Sequence, residues 1–396
     1  MYYIWFLLEK SSIVTKNISC YDIIKFKDVI IVSYVNVDQK QWDLKLIGIN
    51  LLVKNNLYFN YFYMKLEIES PLDMHLHLRD EKMLKCVAPL SAKYFSWALI
   101  MPNLIPPIKT LKDVKSYKKR IKKAIDKEIF TPYMTIFFHE ELNYEILKEL
   151  KPKIIAIKMY PDWVTTNSEW WVKIIDLKKI WHIFESMEKL KIPLCIHWET
   201  NDFVMDREKN FIPIYEMLAK TYKNLKIIME HITTKESAIF VEKFENVFAT
   251  ITLHHLYITL DDIAWWMLQP HLFCKPIAKR PEDKEALLNL ALSWNKKVMF
   301  WSDSAPHPIH KKETKYCSAG IFTAPIVLQC LAELFEQNWK LKNLEHFISK
   351  NAQNIYWIKP KKKIIILEKK DFVIPELYWD IVPFKHWKTI SWSIRG

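Results

Sequence analysis

His75 and His77 stand one residue apart in Asp73-Met74-His75-Leu76-His77-Leu78-Arg79-Asp80. On a β-strand that spacing puts both imidazoles on one face, because successive side chains alternate sides. Two imidazoles on one face can bind a single metal ion, and Arg79 adds a fixed cation one residue pair further along. Further donors close other short apolar runs: Lys158, His197, His231 and Asp303. A lysine within Ile154-Ile155-Ala156-Ile157-Lys158-Met159-Tyr160 is costly to bury as a bare cation. Addition of CO2 to the neutral amine removes that cost and yields N6-carboxylysine, a carboxylate able to bridge two metals. Nitrogen and oxygen donors without thiolate suit zinc, with manganese and cobalt also compatible. Two metals about 3.5–4 Å apart hold a hydroxide between them and polarise a carbonyl. Asp303 then serves as a ligand and as the shuttle for the hydroxide proton. Singly, each residue has a plain structural reading, as a core histidine or a lysine snorkelling to a surface. Together they favour a binuclear site.

Positioning such a set needs a scaffold that brings strand ends together. From Met64 onward, apolar runs alternate with amphipathic stretches. The strands expected are Asp73–Leu78, Ala98–Met101, Tyr133–Phe138, Ile154–Tyr160, Pro193–His197, Lys226–His231, Phe248–Thr252 and Val298–Asp303. Helices are expected at Leu111–Asp126, Leu177–Leu190, Phe211–Tyr222 and Glu282–Leu292. Strand then helix, repeated about eight times over about 250 residues, predicts an α/β fold, a (β/α)8 barrel with its active site at the C-terminal ends of the strands. The tail from Leu331 adds helix and then strands around Lys361–Leu367. Residues 1–63, rich in Asn, Tyr, Phe and Ile, lack a clear register. They read as an N-terminal extension ahead of a true start at Met64, or as an accessory β segment, with 64–396 forming the barrel and its tail.

At 396 residues the chain can bury a large core. Its net charge of +13 comes from lysines spread over many segments, without an arginine-rich strip interleaved with aromatics. No nucleic-acid partner is therefore expected, although such a field suits an anionic small substrate. The cysteines, Cys20, Cys86, Cys195, Cys274, Cys317 and Cys330, form no CxxC pair and no disulfide framework, which favours a reduced, cytoplasmic protein. The apolar start, Met1–Leu8, is too short to span a membrane.

Several motifs carry a family resemblance. His75-Leu76-His77-Leu78-Arg79-Asp80, Met101-Pro102-Asn103-Leu104, Lys158-Met159-Tyr160-Pro161, Glu230-His231-Ile232-Thr233-Thr234 and Ser302-Asp303-Ser304-Ala305-Pro306-His307 occur in order. Pro270–Ile277 and Ser318-Ala319-Gly320 through Pro325 also fit. From about Met64 onward the chain resembles the short, monofunctional bacterial dihydroorotases of the amidohydrolase superfamily. The resemblance implies reversible cyclisation of N-carbamoyl-L-aspartate to L-dihydroorotate in pyrimidine synthesis, with two Zn2+ per subunit. It places one metal on His75 and His77 and the other on His197 and His231. Carboxylated Lys158 bridges them, and Asp303 completes the first site. It assigns Arg79, Asn103 and His307 to the substrate carboxylate, where a guanidinium offers paired donors. Leu272 and Ala319 would meet the ring through their backbone, and Thr165 and Thr166 would sit on a lid that excludes water. A homodimer is left open, since no stretch marks an interface.

The chain departs from that pattern in one systematic way. It has three glycines, where about 7% would give roughly 28, and 17 tryptophans. Trp198 and Trp301, both beside ligand positions, fall where the family has glycine, as do Trp163, Trp171, Trp294, Trp357, Trp387 and at least one of Trp265 and Trp266. An indole at 198 or 301 would crowd a close-packed metal site. Both anomalies are explained if the gene uses UGA for glycine and the codon was read as tryptophan. Trp392 matches a family tryptophan. The competing readings are a dihydropyrimidinase- or hydantoinase-like cyclic amidohydrolase, disfavoured by the Arg79, Asn103 and His307 set, and a non-catalytic scaffold subunit, which would be expected to have lost ligands.

Overall fold

The structure, a computed structural model, describes residues 21–26, 29–34, 49–53, 56–58, 65–160, 177–197 and 199–395, the first four stretches by backbone alone. Two compact units divide the chain. In the first, Tyr21–Phe26 (β1), Val29–Tyr34 (β2), Ile49–Val53 (β3) and Asn56–Tyr58 (β4) form an antiparallel sheet in sequence order. Lys65–Glu69 (β5) leads from there into the second unit, Ile68–Ile365 with Asp371–Trp392.

That second unit contains eight parallel strands in sequence order: Leu72–Leu76 (β6), Trp97–Ile100 (β7), Thr131–Phe137 (β8), Ile154–Met159 (β9), Leu194–Ile196 (β10), Ile227–Met229 (β11), Val247–Thr252 (β12) and Val298–Trp301 (β13). All eight expected strands are present, shifted by at most a few residues. Asp303 N donates to His75 O at 3.1 Å and His77 N to Ser304 O at 3.3 Å, joining the last strand to the first. The strands are apolar on both faces, as parallel strands covered by helices must be. Leu72, Met74, Leu99, Ala156, Cys195, Ile228 and Met299 pack as one buried cluster. Each such large apolar side chain contributes about 1.5–3 kcal/mol on burial.

The helices form where amphipathic period and caps agree. Leu111–Ala124 begins at a Thr110–Asp113 capping box and buries Val114, Tyr117 and Ile121, spaced three and four apart. It stops short of the expected Asp126, whose φ of 51° is left-handed. Arg207–Thr221 starts four residues before the expected Phe211, because its first turn is polar and carries no apolar period. Leu177–Leu190 matches its expected bounds, and Pro281–Leu292 begins one residue early, at a proline suited to the first helical turn. The later helix and strand are Val327–Gln337 and Ile364–Glu368 (β14). No helix among the described residues is long and apolar enough to cross a membrane.

Candidate metal centre and substrate pocket

The strand face that was expected to extend through Arg79 ends earlier. β6 stops at Leu76, and Arg79 has a φ of 57°, so the chain turns left-handed before the guanidinium reaches the barrel mouth. His75 and His77 nevertheless converge, with Nε2 atoms 2.7 Å apart. Asp303 joins them: its Oδ1 lies 3.4 Å from His75 Nε2 and 3.2 Å from His77 Nε2. Three buried donors aimed at one point form a candidate metal site. Beside it, the rings of His197 and His231 are 4.3 Å apart, and the His231 ring is 5.7 Å from His75. Lys158, fully buried, stands over the Tyr160 ring at 4.4 Å and meets the Glu230 carboxylate.

Burial dominates the electrostatics. It holds His75, His77 and His231 well below the usual imidazole range and lowers His197 too, so these rings are neutral and able to donate lone pairs. Burial also drives the Lys158 amine well below the usual lysine range. Asp303 is raised to about 7 by burial, against the pull of His197, Lys158 and Arg79. His231 Nδ1 is buried without a hydrogen-bond partner. Neutral imidazoles, a neutral amine and an orphaned ring nitrogen are a donor set that fits metal ions. His231 and Asp303 also have φ of 39° and 41°, strain that clusters with function.

Supporting contacts fix these donors. Glu230 Oε1 lies 3.6 Å from His75 Nδ1, beyond hydrogen-bond distance but on the side of the ring where carboxylate–histidine–metal arrangements place their carboxylate. Asp73 accepts from Ser302 N at 2.9 Å and from His75 N at 3.3 Å, tying the two ligand-bearing strands together. Glu208 accepts from Thr233 N at 2.9 Å and from Thr234 Oγ1 at 3.1 Å, anchoring the turn after His231. These three carboxylates escaped sequence reasoning. Their one visible signal was adjacency to ligands, or in the case of Glu208 none, since its partners lie 25 and 26 residues away.

A small pocket opens beside the donors, lined by His77, Arg79, Asn103, His197, His231, Asp303 and Ala319 among others. Tyr160, Lys275 and Gly320 also line it and were not anticipated. Arg79 Nη2 lies 2.9 Å and Ala319 O 3.0 Å from the same His307 Nε2, which accepts from the first or donates to the second according to its tautomer. Arg79, Asn103, His307 and Ala319 are therefore gathered at one wall. Leu272 is not among the lining residues, and its N–H is already donated to Gln269 O at 3.0 Å. Thr165, Thr166, Trp163, Trp171 and Trp198 lie outside the described residues. A second buried cluster, His254, His255 and Cys274, also brings three donor atoms together, but its His255 is already engaged on both ring nitrogens. His255 Nε2 faces the Pro276 carbonyl at 3.0 Å and must carry its proton, while Nδ1 faces Thr252 Oγ1 at 2.7 Å.

An eight-stranded barrel with six donors at its C-terminal mouth defines a metal-dependent hydrolase class, and the Amidohydrolase family matches residues 72–362. The chain belongs to the amidohydrolase family. A dihydroorotase of Helicobacter acinonychis is 40% identical over 339 residues, covering 84% of this chain and 99% of that protein. The crystal structure of dihydroorotase from Campylobacter jejuni is 51% identical with a TM-score of 0.81, covering 86% of this chain and all of that one. That of Saccharomyces cerevisiae dihydroorotase, in complex with 5-fluoroorotic acid, is 34% identical with a TM-score of 0.79, covering 84% of this chain and 98% of that one. Within the family, the chain belongs with the dihydroorotases.

Proposed function

We propose that this chain closes N-carbamoyl-L-aspartate to L-dihydroorotate, and reopens it, using two zinc ions bridged by N6-carboxylysine at Lys158. The observation that carries the reading is the meeting of His75, His77, Lys158, His197, His231 and Asp303 beside a wall formed by Arg79 and His307. His75, His77 and Asp303 would hold one ion, and His197 and His231 the other. When bound, zinc supplies a Lewis acid for the carbonyl and a nucleophile at neutral pH. The neutral Lys158 amine would add to the carbon of CO2, forming an N–C bond as one C=O π bond opens onto its oxygen, and its N–H proton would pass to water, which leaves a carbamate carboxylate.

Asp303 moves the proton between water and the substrate amide nitrogen, a role suited to a carboxyl raised toward neutrality. Arg79, Asn103 and His307 orient the substrate carboxylate, and the Ala319 backbone meets the ring. Thr165 and Thr166 belong to the proposed lid, and Leu272 would need its loop to rearrange before its backbone could take part. The catalytic unit is assigned to 64–396 with 1–63 as an extension, the protein is placed in the cytoplasm, and the assembly is proposed as a homodimer. The deciding experiment supplies the zinc-loaded protein, purified from its own cell, with dihydroorotate and, separately, with dihydrouracil. Hydrolysis of dihydroorotate is expected; turnover of dihydrouracil alone would favour a hydantoinase-like enzyme instead.

A further inference from the structure

We infer that the protein made by its own cell carries glycine, not tryptophan, at positions 301, 339, 357, 379 and 387. Two separate structural observations bear on these positions, a positive φ that four of them share with eight other non-glycine residues among the described ones, and crowding at the fifth; only 339 and 379 go unmarked in the sequence pattern. Among the described residues, Trp339, Trp357, Trp379 and Trp387 have φ of 59°, 51°, 58° and 61°. A bulky residue with positive φ is an outlier, whereas glycine adopts that conformation freely. All four indoles are also more than half exposed, so no burial offsets the strain.

Their local settings are glycine settings. Trp357 is the left-handed cap of helix Asn351–Tyr356, with its N–H on Gln353 O. Trp339 follows helix Val327–Gln337 and donates to Glu336 O at 2.9 Å. Helices commonly end on glycine in this conformation. Trp379 opens the two-residue turn between Tyr378 and Ile381, which exchange N–H···O bonds of 2.9 and 3.1 Å. Such turns require positive φ at their first central residue.

Trp301 fails for a different reason, namely space. Its indole is fully buried, with the ring centroid 3.8 Å from that of His75 at a tilt of 36°. Aromatic pairs ordinarily keep about 4.5–7 Å. Its Nε1 has no hydrogen-bond partner, its ring lies 5.7 Å from His231, and Lys158 Nζ lies 5.9 Å from it. The indole therefore crowds His75 and borders His231 and Lys158. Gly320, one of the three glycines, shows what this site tolerates. Its φ is 146°, and a Cβ there would come within 2.7 Å of Ala305 Cβ. By contrast, Trp392 is fully buried and bonds Glu336 Oε2 at 2.9 Å, and Trp97, although its Nε1 is also unpartnered, packs edge-on against Tyr133 at 4.4 Å with no such close approach to a metal-centre donor. Both are assigned as tryptophan. One codon, UGA, read as tryptophan where the cell inserts glycine, accounts for all five positions.

Tandem mass spectrometry of peptides from the native protein tests the assignment directly. Glycine is expected at the five positions and tryptophan at 97 and 392; tryptophan at 301 overturns it for the metal centre, and tryptophan at the other four overturns the backbone argument. Zinc content gives a readout that is independent of activity. The Trp301→Gly form should retain two zinc ions after dialysis, and the Trp301 form about one or none. Equal zinc in both forms would overturn the steric argument.

A second observation stands apart from these. Lys312 is buried and donates from Nζ to Phe273 O at 3.0 Å, Ser318 O at 2.8 Å and Gly320 O at 2.8 Å. Its three protons thus join two loops that flank the pocket, and Gly320 N bonds Phe273 O at 2.9 Å between them. We propose that Lys312 is a positioning residue that holds the Ser318–Gly320 backbone in register with the bound ring; this rests on the dihydroorotase reading only for the choice of substrate. Lys312→Met should raise KM for dihydroorotate about tenfold, with kcat within about threefold and zinc unchanged. Lys312→Arg, which keeps the charge, should recover part of the loss. Amide hydrogen exchange across 270–274 and 318–320 should rise in Lys312→Met even if dihydroorotate proves not to be the substrate. Unchanged exchange, or kcat and zinc falling together with an unchanged KM, would overturn the proposal. Should Lys312→Met fail to fold, the exchange of Lys312→Arg is read instead.

Discussion

Asp303 N donates to His75 O at 3.1 Å, so the bond that joins the last barrel strand to the first also sets the spacing of two metal-site residues. Their side chains then meet at 3.4 Å, between Asp303 Oδ1 and His75 Nε2. Barrel closure and construction of the site are one event here. A change that loosens the β6–β13 seam therefore disturbs the candidate metal site directly.

Asp303→Asn keeps this backbone bond and a residue that tolerates the left-handed φ of 41°. It removes the proton carrier and one anionic ligand. kcat for dihydroorotate should fall by about 10²–10⁴-fold, with an unchanged unfolding midpoint. Steady-state kinetics paired with a thermal melt check this; kcat near the parent value would remove Asp303 from the proton path.

Arg79 holds His307 at 2.9 Å and Pro306 O at 3.2 Å, which presents its guanidinium to the cavity. Lysine has a point charge in place of that fork. Arg79→Lys should raise KM for dihydroorotate about 10–100-fold, the worth of a charge-assisted hydrogen bond. Any residual turnover of dihydrouracil, which lacks the carboxylate, should not change. Equal losses on the two compounds would argue that Arg79 acts on the metal centre instead.

Both carboxylate oxygens of Glu208 accept from Thr233 N at 2.9 Å and hold the turn that follows His231. Glu208→Ala strands buried donors and should cost about 2–3 kcal/mol in urea unfolding, with zinc lost before global unfolding. A wild-type midpoint together with full zinc retention would remove Glu208 from this role.

Lys312 gives a pH dependence with two opposite signs. Burial lowers its amine to about 8, with Arg79 pushing the same way and Cys317 and Cys274 opposing; His307 and His254 also face it. Below pH 8 the ammonium supplies three donors, and above it one is lost, so KM should rise above about pH 8. Stability moves the other way. The folded value lies below the ordinary lysine value of 10.5, so the unfolded chain binds more protons between them and this group favours folding as pH climbs. A KM-against-pH profile that is the same in Lys312→Arg as in the parent would exclude this origin.

The sequence by itself determined the barrel and marked the candidate ligands. Alternating apolar runs and amphipathic stretches placed all eight strands, and donors at their ends marked His75, His77, Lys158, His197, His231 and Asp303, because a buried polar residue in an apolar run is conspicuous without coordinates. The glycine deficit was equally visible as a count. Only the tertiary structure decided what depends on distance and dihedral angle. It brought Glu230 to His75, Asp73 to Ser302 and Glu208 to Thr233, partners up to 229 residues apart that no local pattern connects. It turned Arg79 off its strand, spent the Leu272 N–H on Gln269, and revealed Trp339 and Trp379 as glycine positions. A left-handed φ leaves no mark on a tryptophan's neighbours in sequence; it becomes visible only where the chain must turn.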